Sequence, residues 1–261
     1  MKTCLKGKIP NLLTQYQSNN PDANWEQFKN ECQQGYRDVQ SQLRQDQGNL
    51  CCYCEIETRQ AFGIGKDDFR VEHFHPKSDI VKSGASRNWG LDWRNMLGCC
   101  HGGSERYVTD AQERYISINA QRHSDTLKGE FILDDEILNP LTIPPFPILF
   151  KANRRDGSFS VLEDNCRNAD VSIDKANGCL AADKLNLNSE KLKELRKKAM
   201  DALNEQIQEE VSRGLSIEQA MSNVTKAQLR KNAQQYWPAF FTTIRSYLGA
   251  ENFLQSIQYS G

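Results

Sequence analysis

All four histidines of this 261-residue chain lie in one segment, together with five of its nine cysteines. The segment, residues 51–129, is under a third of the chain. Its members are His73, His75, His101, His123, Cys51, Cys52, Cys54, Cys99 and Cys100. Histidine transfers protons near neutral pH and cysteine thiolates bind metal ions, so the cluster indicates a shared chemical purpose.

The cysteines have the spacing of a zinc-binding turn. Cys51 and Cys54 form a C-x-x-C motif, and two thiolates at this spacing can reach one tetrahedral metal ion. Cys99 and Cys100 supply a further thiolate, but no second C-x-x-C follows them. A redox-active dithiol is the alternative, although the pattern lacks the βαβ context that favours one.

Glu72 and His73 place a carboxylate beside an imidazole, after an apolar strand-like run and before a turn at Pro76. This pair suits hydrolysis, because the carboxylate can hold a cation while the imidazole accepts a proton. An ordinary pair on the surface of a strand is the simpler interpretation.

Two more motifs follow along the chain. Asn95 stands in a short apolar run that ends in the cysteine pair, and residues 123–129 begin a short predicted helix. In order, the motifs are Cys-x-x-Cys, Glu-His-x-x-Pro-Lys-Ser, Asp-Trp-x-Asn-x-Leu-x-x-Cys and His-x-Asp-x-x-Lys-Gly.

This series resembles the HNH endonuclease superfamily and, more narrowly, the PtuB-type HNH proteins of Septu and retron antiphage systems. The resemblance covers roughly residues 48–200 and includes the Leu-Asn-Leu-Asn run that starts at Leu185. It implies an α+β fold with a ββα-metal core. Two strands near residues 69–75 and 94–99, and a helix beginning near Ser124, would hold one catalytic cation.

The resemblance also implies a role for each motif residue. His73 would be the general base that activates water, and Asn95 would orient this base or its loop. Glu72 and Asp125 would hold Mg²⁺ or Mn²⁺, which is consistent with the preference of these ions for oxygen ligands.

A structural Zn²⁺ is the second implied metal. Cys51, Cys54 and Cys100 match three of the four usual cysteine positions, and Ser124 occupies the fourth. We expect His123 to substitute, because imidazole is a good zinc ligand. Cys99, His101 or the absence of zinc are the alternatives.

Three residues next to the motifs are candidates for contacting the substrate. His75 would face the same side of a strand as His73 and reach a phosphate, or else serve in packing. Lys77 and Lys128 would contact phosphates, or else be ordinary surface lysines.

The surrounding elements divide the chain into three predicted parts. Residues 1–48 form a helical segment, with one apolar stripe from Trp25 to the glycine at 48 and a capping pattern at Asn24. Residues 49–130 form the nuclease core with its zinc knuckle. Residues 131–261 are mostly helical, with a β-hairpin near residues 148–162, a helix capped by Ser189 and a last helix over residues 225–247 that is broken near Pro238.

The net charge of −1 differs from the strongly basic balance of many nucleic-acid-binding proteins. A local patch can still bind phosphate. Residues 184–198 hold six Lys or Arg against two Glu, which predicts either a solvated helix face or a phosphate-binding patch.

An odd number of cysteines and an N-terminus without an apolar signal segment predict a cytoplasmic protein with reduced thiols. No stretch approaches the roughly 20 apolar residues of a membrane helix, so no membrane association is expected.

We therefore expect an endonuclease that hydrolyses phosphodiester bonds in DNA or RNA. The resemblance implies an ABC-type ATPase partner like PtuA and, in retron versions, a reverse transcriptase with its DNA–RNA product. The alternative is a zinc-stabilised interaction module with an inactive nuclease fold. A zinc deaminase is disfavoured, because His73-Phe74-His75 lacks the H-x-E spacing.

Overall fold

The computed structural model describes residues 1–58, 65–79 and 87–261. In these ranges the protein combines helices with two small antiparallel sheets, which is an α+β architecture. None of the helices in these ranges has the length and apolarity needed to span a lipid bilayer.

The N-terminal part contains three helices: α1 (Asn11–Asn19), α2 (Trp25–Glu31) and α3 (Gln33–Asp46). The predicted single helix is divided at Cys32, where the backbone leaves helical geometry with φ −121° and ψ 62°. The capping box at the start of α2 joins Asn24 and Gln27 through two hydrogen bonds, of 2.8 and 3.0 Å. The apolar stripe continues through the bend, because both helices face one buried cluster that includes Phe28 and Leu43.

The first sheet pairs β1 (Arg70–His73) with β2 (Met96–Cys99). In its register, Glu72 lies opposite Leu97, and His73 lies opposite Met96. The short helices α4 (Ala111–Arg114) and α5 (Asp125–Lys128) follow. β2 contacts α3, so the N-terminal helices support one end of this sheet.

The second sheet is the hairpin of β3 (Phe150–Ala152) and β4 (Phe159–Val161). Helices α6 (Glu163–Asn168), α7 (Ile173–Leu180) and α8 (Glu190–Ser212) follow it. The hydroxyl of Ser189 accepts a hydrogen bond from the Leu192 N–H and caps α8.

The C-terminal part differs from the predicted helix over residues 225–247. The chain instead forms α9 (Ile217–Gln228), α10 (Phe241–Leu248) and α11 (Glu251–Ser256). α9 begins at a capping box between Ser216 and Gln219, and α10 follows Phe240 in the left-handed region. α10 packs on β3 and α8. The larger hydrophobic core includes residues from this part and from the cysteine-rich segment.

Candidate functional site

A pocket of about 300 Å³ lies between β1, the turn after it and α5. Its lining includes four of the predicted site residues: Glu72, His73, Lys77 and Asp125. β1 supplies the first two, and Asp125 is the first residue of α5. Two antiparallel strands and the following helix therefore bring together side chains that are more than 50 positions apart in the sequence.

The carboxyl groups of Glu72 and Asp125 are both buried and interact with each other. Burial, followed by the negative charge of Asp125, raises the pKa of the Glu72 carboxyl, and the nearby Lys128 ammonium partly opposes this shift. Two carboxylates forced together out of water hold a proton or a cation between them. Their oxygen atoms are the type of ligand that Mg²⁺ and Mn²⁺ prefer, so this pair fits a hard divalent cation.

Each carboxylate also has a cationic partner within the protein. Nζ of Lys128 lies 2.9 Å from Oε1 of Glu72 and donates to the carbonyl of His73 at 2.9 Å. Nη2 of Arg70 donates to Oδ1 of Asp125 at 2.5 Å. Lys128, which the sequence suggested as a phosphate contact, has only 1% of its surface exposed, and its ammonium faces inward to these partners.

The imidazole ring of His73 is held in place by a hydrogen bond and an aromatic contact. Its Nε2 lies 2.9 Å from the carbonyl oxygen of Gly90, and Trp25 packs edge-on against it at 4.9 Å between ring centroids. A carbonyl can only accept, so Nε2 carries the proton and Nδ1 keeps its lone pair. Burial lowers the pKa of the imidazole to about 4. A neutral ring with one free lone pair can act as a proton acceptor near pH 7.

Asn95 fastens together two chain segments that follow this histidine, one at His75 and one at Trp89. Its Nδ2 donates to the carbonyls of His75 and Trp89, at 2.8 and 2.9 Å. Its Oδ1 accepts from the backbone N–H of His75 at 2.7 Å. Because Gly90 follows Trp89, the amide fixes the segment that carries the hydrogen-bond partner of His73.

The remaining candidate substrate contacts have protein partners. Nδ1 and Nε2 of His75 lie 2.8 Å from Asp134 and 3.0 Å from Asp79, and its ring lies against Trp89 at 4.1 Å. Nζ of Lys77 lies 2.8 Å from Glu26 at the edge of the pocket. His75 is buried, whereas Lys77 is partly exposed.

A second centre is formed by the buried thiols of Cys51, Cys54 and Cys100, whose sulfur atoms lie within 4.8 Å of one another. The sulfurs of Cys54 and Cys100 are 3.6 Å apart. Sulfurs that share one tetrahedral zinc ion are separated by roughly 3.8 Å, because each Zn–S bond is about 2.3 Å. The buried cluster therefore fits a metal ion such as zinc.

The fourth position of this centre lies at Ser124. Its hydroxyl oxygen is 3.8 Å from the sulfur of Cys51 and 3.9 Å from that of Cys100. Nδ1 of His123 is 3.1 Å from the same hydroxyl, and the imidazole is buried; among the described residues, His123 belongs to no group of three or more potential ligand atoms that lie within 4.8 Å of one another. Cys99 belongs to a neighbouring group with Cys51 and Cys52. His101 instead contacts Asp68 at 3.2 Å.

Two side chains that were not predicted to act at the catalytic site contact its carboxylates. The thiol of Cys99 lies 3.2 Å from Oδ1 of Asp125, and the hydroxyl of Tyr53 lies 3.3 Å from Oε1 of Glu72. Arg70 could have been found from the sequence, because it precedes Glu72 by two positions and so shares its face of β1. The roles of Cys99 and Tyr53 depend on long-range packing.

No model of a protein family matches the chain. The chain is nevertheless similar in sequence to a protein named as an HNH endonuclease of a retron, as the order of the motifs predicted. This relative is the Escherichia coli protein "Retron Ec83 putative HNH endonuclease". The two are 27% identical over 216 residues, which cover 78% of this chain and 81% of the relative.

Proposed function

We propose that this protein is a metal-dependent HNH endonuclease that hydrolyses phosphodiester bonds in nucleic acid. The observation that carries the proposal is a neutral imidazole, His73, lining the same pocket as the buried Glu72 and Asp125 carboxylates. β1, β2 and α5 would be the ββα-metal core, since they follow one another in this order along the chain, β2 pairs with β1, and β1 and α5 line the pocket. The similarity to the retron protein supports the same conclusion.

In the proposed reaction, Nδ1 of His73 takes a proton from the attacking water, and the Gly90 carbonyl holds the ring in the required tautomer. Glu72 and Asp125 would bind Mg²⁺ or Mn²⁺, which supplies positive charge to the phosphate and the leaving oxygen. Lys128 and Arg70 keep the two carboxylates in place. Asn95 is proposed as a positioning residue, because it contacts the backbone of His75, two residues after His73, and of Trp89, which precedes its partner Gly90.

The cysteine centre would hold Zn²⁺ as a structural ion. Its thiols are fully buried, and Ser124 connects it directly to Asp125 at the start of α5. A metal ion there would fix the N-terminal end of this four-residue helix. All nine cysteines are free thiols in the structure, as metal ligation in a reducing cytoplasm would require.

We further propose that the protein is the effector nuclease of an antiphage system, since its relative is named for a retron. An ABC-type ATPase, and a reverse transcriptase with its DNA–RNA product, are the proposed partners. Shared binding of the substrate by such a complex is compatible with a net charge of only −1.

Cleavage of labelled plasmid DNA, single-stranded DNA and tRNA tests this function. Wild type is compared with His73→Ala in Mg²⁺, in Mn²⁺ and in EDTA, with and without the ATPase. A matched control is His101→Ala, which removes a histidine outside the pocket. The proposal requires cleavage that is lost with His73→Ala and EDTA and kept with His101→Ala. Equal cleavage by His73→Ala, or none by wild type with its partners, would support the inactive interaction module instead.

A further inference from the structure

A second groove, of about 580 Å³, lies on the β3–β4 hairpin beside the end of α10. It is larger than the candidate catalytic pocket and shares no lining residue with it. Three of its lining residues, Lys151, Arg154 and Arg155, are exposed cations, and none of its lining residues is acidic. The groove is thus a local positive site on a chain whose net charge is close to zero.

These cations differ from those in the basic stretch at residues 184–198. Each of the five lysines there is paired with an acidic side chain: Lys184 with Glu136, Lys191 and Lys198 with Glu194, Lys193 with Glu190, and Lys197 with Asp201. Within the described ranges, Lys151, Arg154 and Arg155 form no such ion pair. The lysines of residues 184–198 are therefore neutralised by acidic side chains of the same chain. The three cations of the hairpin groove are available to a ligand.

The hairpin holds these cations on a fixed scaffold. The Arg154 guanidinium lies 4.5 Å from the ring centroid of Tyr247 and donates to the Tyr247 carbonyl at 3.2 Å. The backbone N–H of Ala152 donates to the Ser246 hydroxyl at 3.0 Å and ties β3 to α10. The neighbouring Asp156 does not line the groove, and its carboxylate accepts hydrogen bonds from Ser158.

We propose that this groove binds the phosphodiester backbone of a nucleic acid, away from the bond that is cut. Guanidinium and ammonium groups match phosphate charge, and the exposed Asn153 and Ser160 side chains add hydrogen-bonding groups. A protein partner would require an apolar centre, whereas the exposed lining residues are all polar. The inference rests on the proposed nuclease function, because it names how that substrate is held.

Binding is measured separately from cleavage. In a His73→Ala background without added Mg²⁺ or Mn²⁺, the Kd of fluorescein-labelled single-stranded DNA, duplex DNA and tRNA is followed by anisotropy between about 50 and 200 mM salt. The groove variant is Lys151→Ala/Arg154→Ala/Arg155→Ala. The control, Lys191→Ala/Lys197→Ala/Lys198→Ala, removes the same charge from paired lysines. Because Arg154 packs on Tyr247, Lys151→Glu/Arg155→Glu tests the groove without that substitution.

We expect the groove variants to raise the Kd of at least one probe by roughly tenfold or more, and the triple variant to reduce the salt slope by about 2–3. The control should change the Kd by less than about twofold. The probes that respond identify DNA or RNA as the bound chain.

If both groove variants keep the wild-type Kd and salt slope, the proposal that the groove binds nucleic acid is wrong. The same conclusion would follow from loss of binding to the ATPase with unchanged affinity for all three probes, since this would identify a protein-docking surface. If the wild-type protein cleaves nucleic acid and the groove variants bind the probes normally, the groove proposal is wrong and the nuclease function stands. If the groove variants bind poorly but the wild-type protein cleaves nothing, the nuclease function is wrong and the groove proposal stands.

Discussion

Nζ of Lys128 lies 2.9 Å from Oε1 of Glu72, and both side chains are buried; of the two, Glu72 lines the candidate catalytic pocket. The ammonium compensates one charge of a carboxylate pair that has been removed from water. In the absence of a divalent cation, this ion pair and the bond from Lys128 to the His73 carbonyl hold β1 against α5.

Above pH 8, where Glu72 with its raised pKa of about 8 is ionised, Lys128→Met should lower the free energy of unfolding by about 3 kcal/mol, because it leaves this buried carboxylate without its counter-charge. Denaturant unfolding without Mg²⁺ or Mn²⁺ measures this loss. Adding Glu72→Gln should recover part of it, since the remaining side chain is then neutral. Strictly additive effects of the two substitutions would show that the pair does not interact.

The stability of the protein should fall as the pH decreases from about 6.5 to 4. Burial lowers the pKa of His73 to about 4 in the folded protein, while the unfolded chain takes up the proton near pH 6.5. The unfolded state therefore binds more protons across this window, and the contribution of His73 is complete above it. It amounts to about 3 kcal/mol.

The check is urea unfolding across this pH range for wild type and His73→Gln. The variant should show a shallower dependence, by up to one proton. His123, whose pKa burial also lowers to about 4, contributes the same slope in both proteins. Identical slopes would mean that His73 is not buried in its neutral form.

Binding of Mg²⁺ or Mn²⁺ should strengthen as the pH rises, because burial and Asp125 raise the pKa of Glu72. A cation must displace the proton that the carboxylate pair retains. Calorimetry in buffers of different ionisation enthalpy should detect proton release on binding. Glu72→Gln should abolish the release and weaken binding, whereas Glu130→Gln, at the edge of the same pocket, should leave the proton release intact.

Asn95→Ala should reduce kcat by about 100-fold, because the segment that bears Gly90 loses its attachment to His75. The Mn²⁺ concentration for half-maximal activity should stay the same, since Asn95 contacts backbone rather than the carboxylate pair. Asn186→Ala is the control, as Asn186 joins the carbonyls of Ala120 and Arg122 outside the pocket. Equal loss of activity in both variants would indicate a general effect on stability.

Ser124→Cys should produce a protein that keeps zinc at about tenfold higher chelator concentration, because the new sulfur would lie near Cys51 and Cys100. Metal content after dialysis against a graded chelator measures this. Cys54→Ser should lose zinc, and Cys166→Ser, a buried thiol outside the cluster, should not. His123→Ala discriminates a direct ligand, which would release zinc, from a partner of the Ser124 hydroxyl, which would not.

Sequence patterns predicted those helices and strands whose ends are determined by residues nearby in the sequence. The helix predicted from the Ser189 cap corresponds to α8, and the hairpin predicted near residues 148–162 corresponds to β3 and β4. The break at Cys32 and the start of α9 were missed. The break at Cys32 depends on how α2 and α3 pack on one shared core. The start of α9 could have been predicted, because Ser216 and Gln219 form a capping box.

The candidate site likewise combines features that the sequence predicted with contacts that only the folded chain shows. Motif order predicted that Glu72, His73 and Asp125 would meet, and they line one pocket. The bond from His73 to Gly90 and the thiol of Cys99 beside Asp125 join residues 17 and 26 positions apart. Neither contact follows a helical or strand period, so only the folded chain reveals them.

The amide group of Asn95 has a consequence for how the chain can vary. Its bonds to His75 and Trp89 close the ends of the intervening stretch, so the spacing of those ends does not depend on the number of residues between them. Lengthening a closed loop costs little, about 0.6 kcal/mol for each doubling. The geometry around His73 is thereby insulated from the number of residues that the chain places between His75 and Trp89.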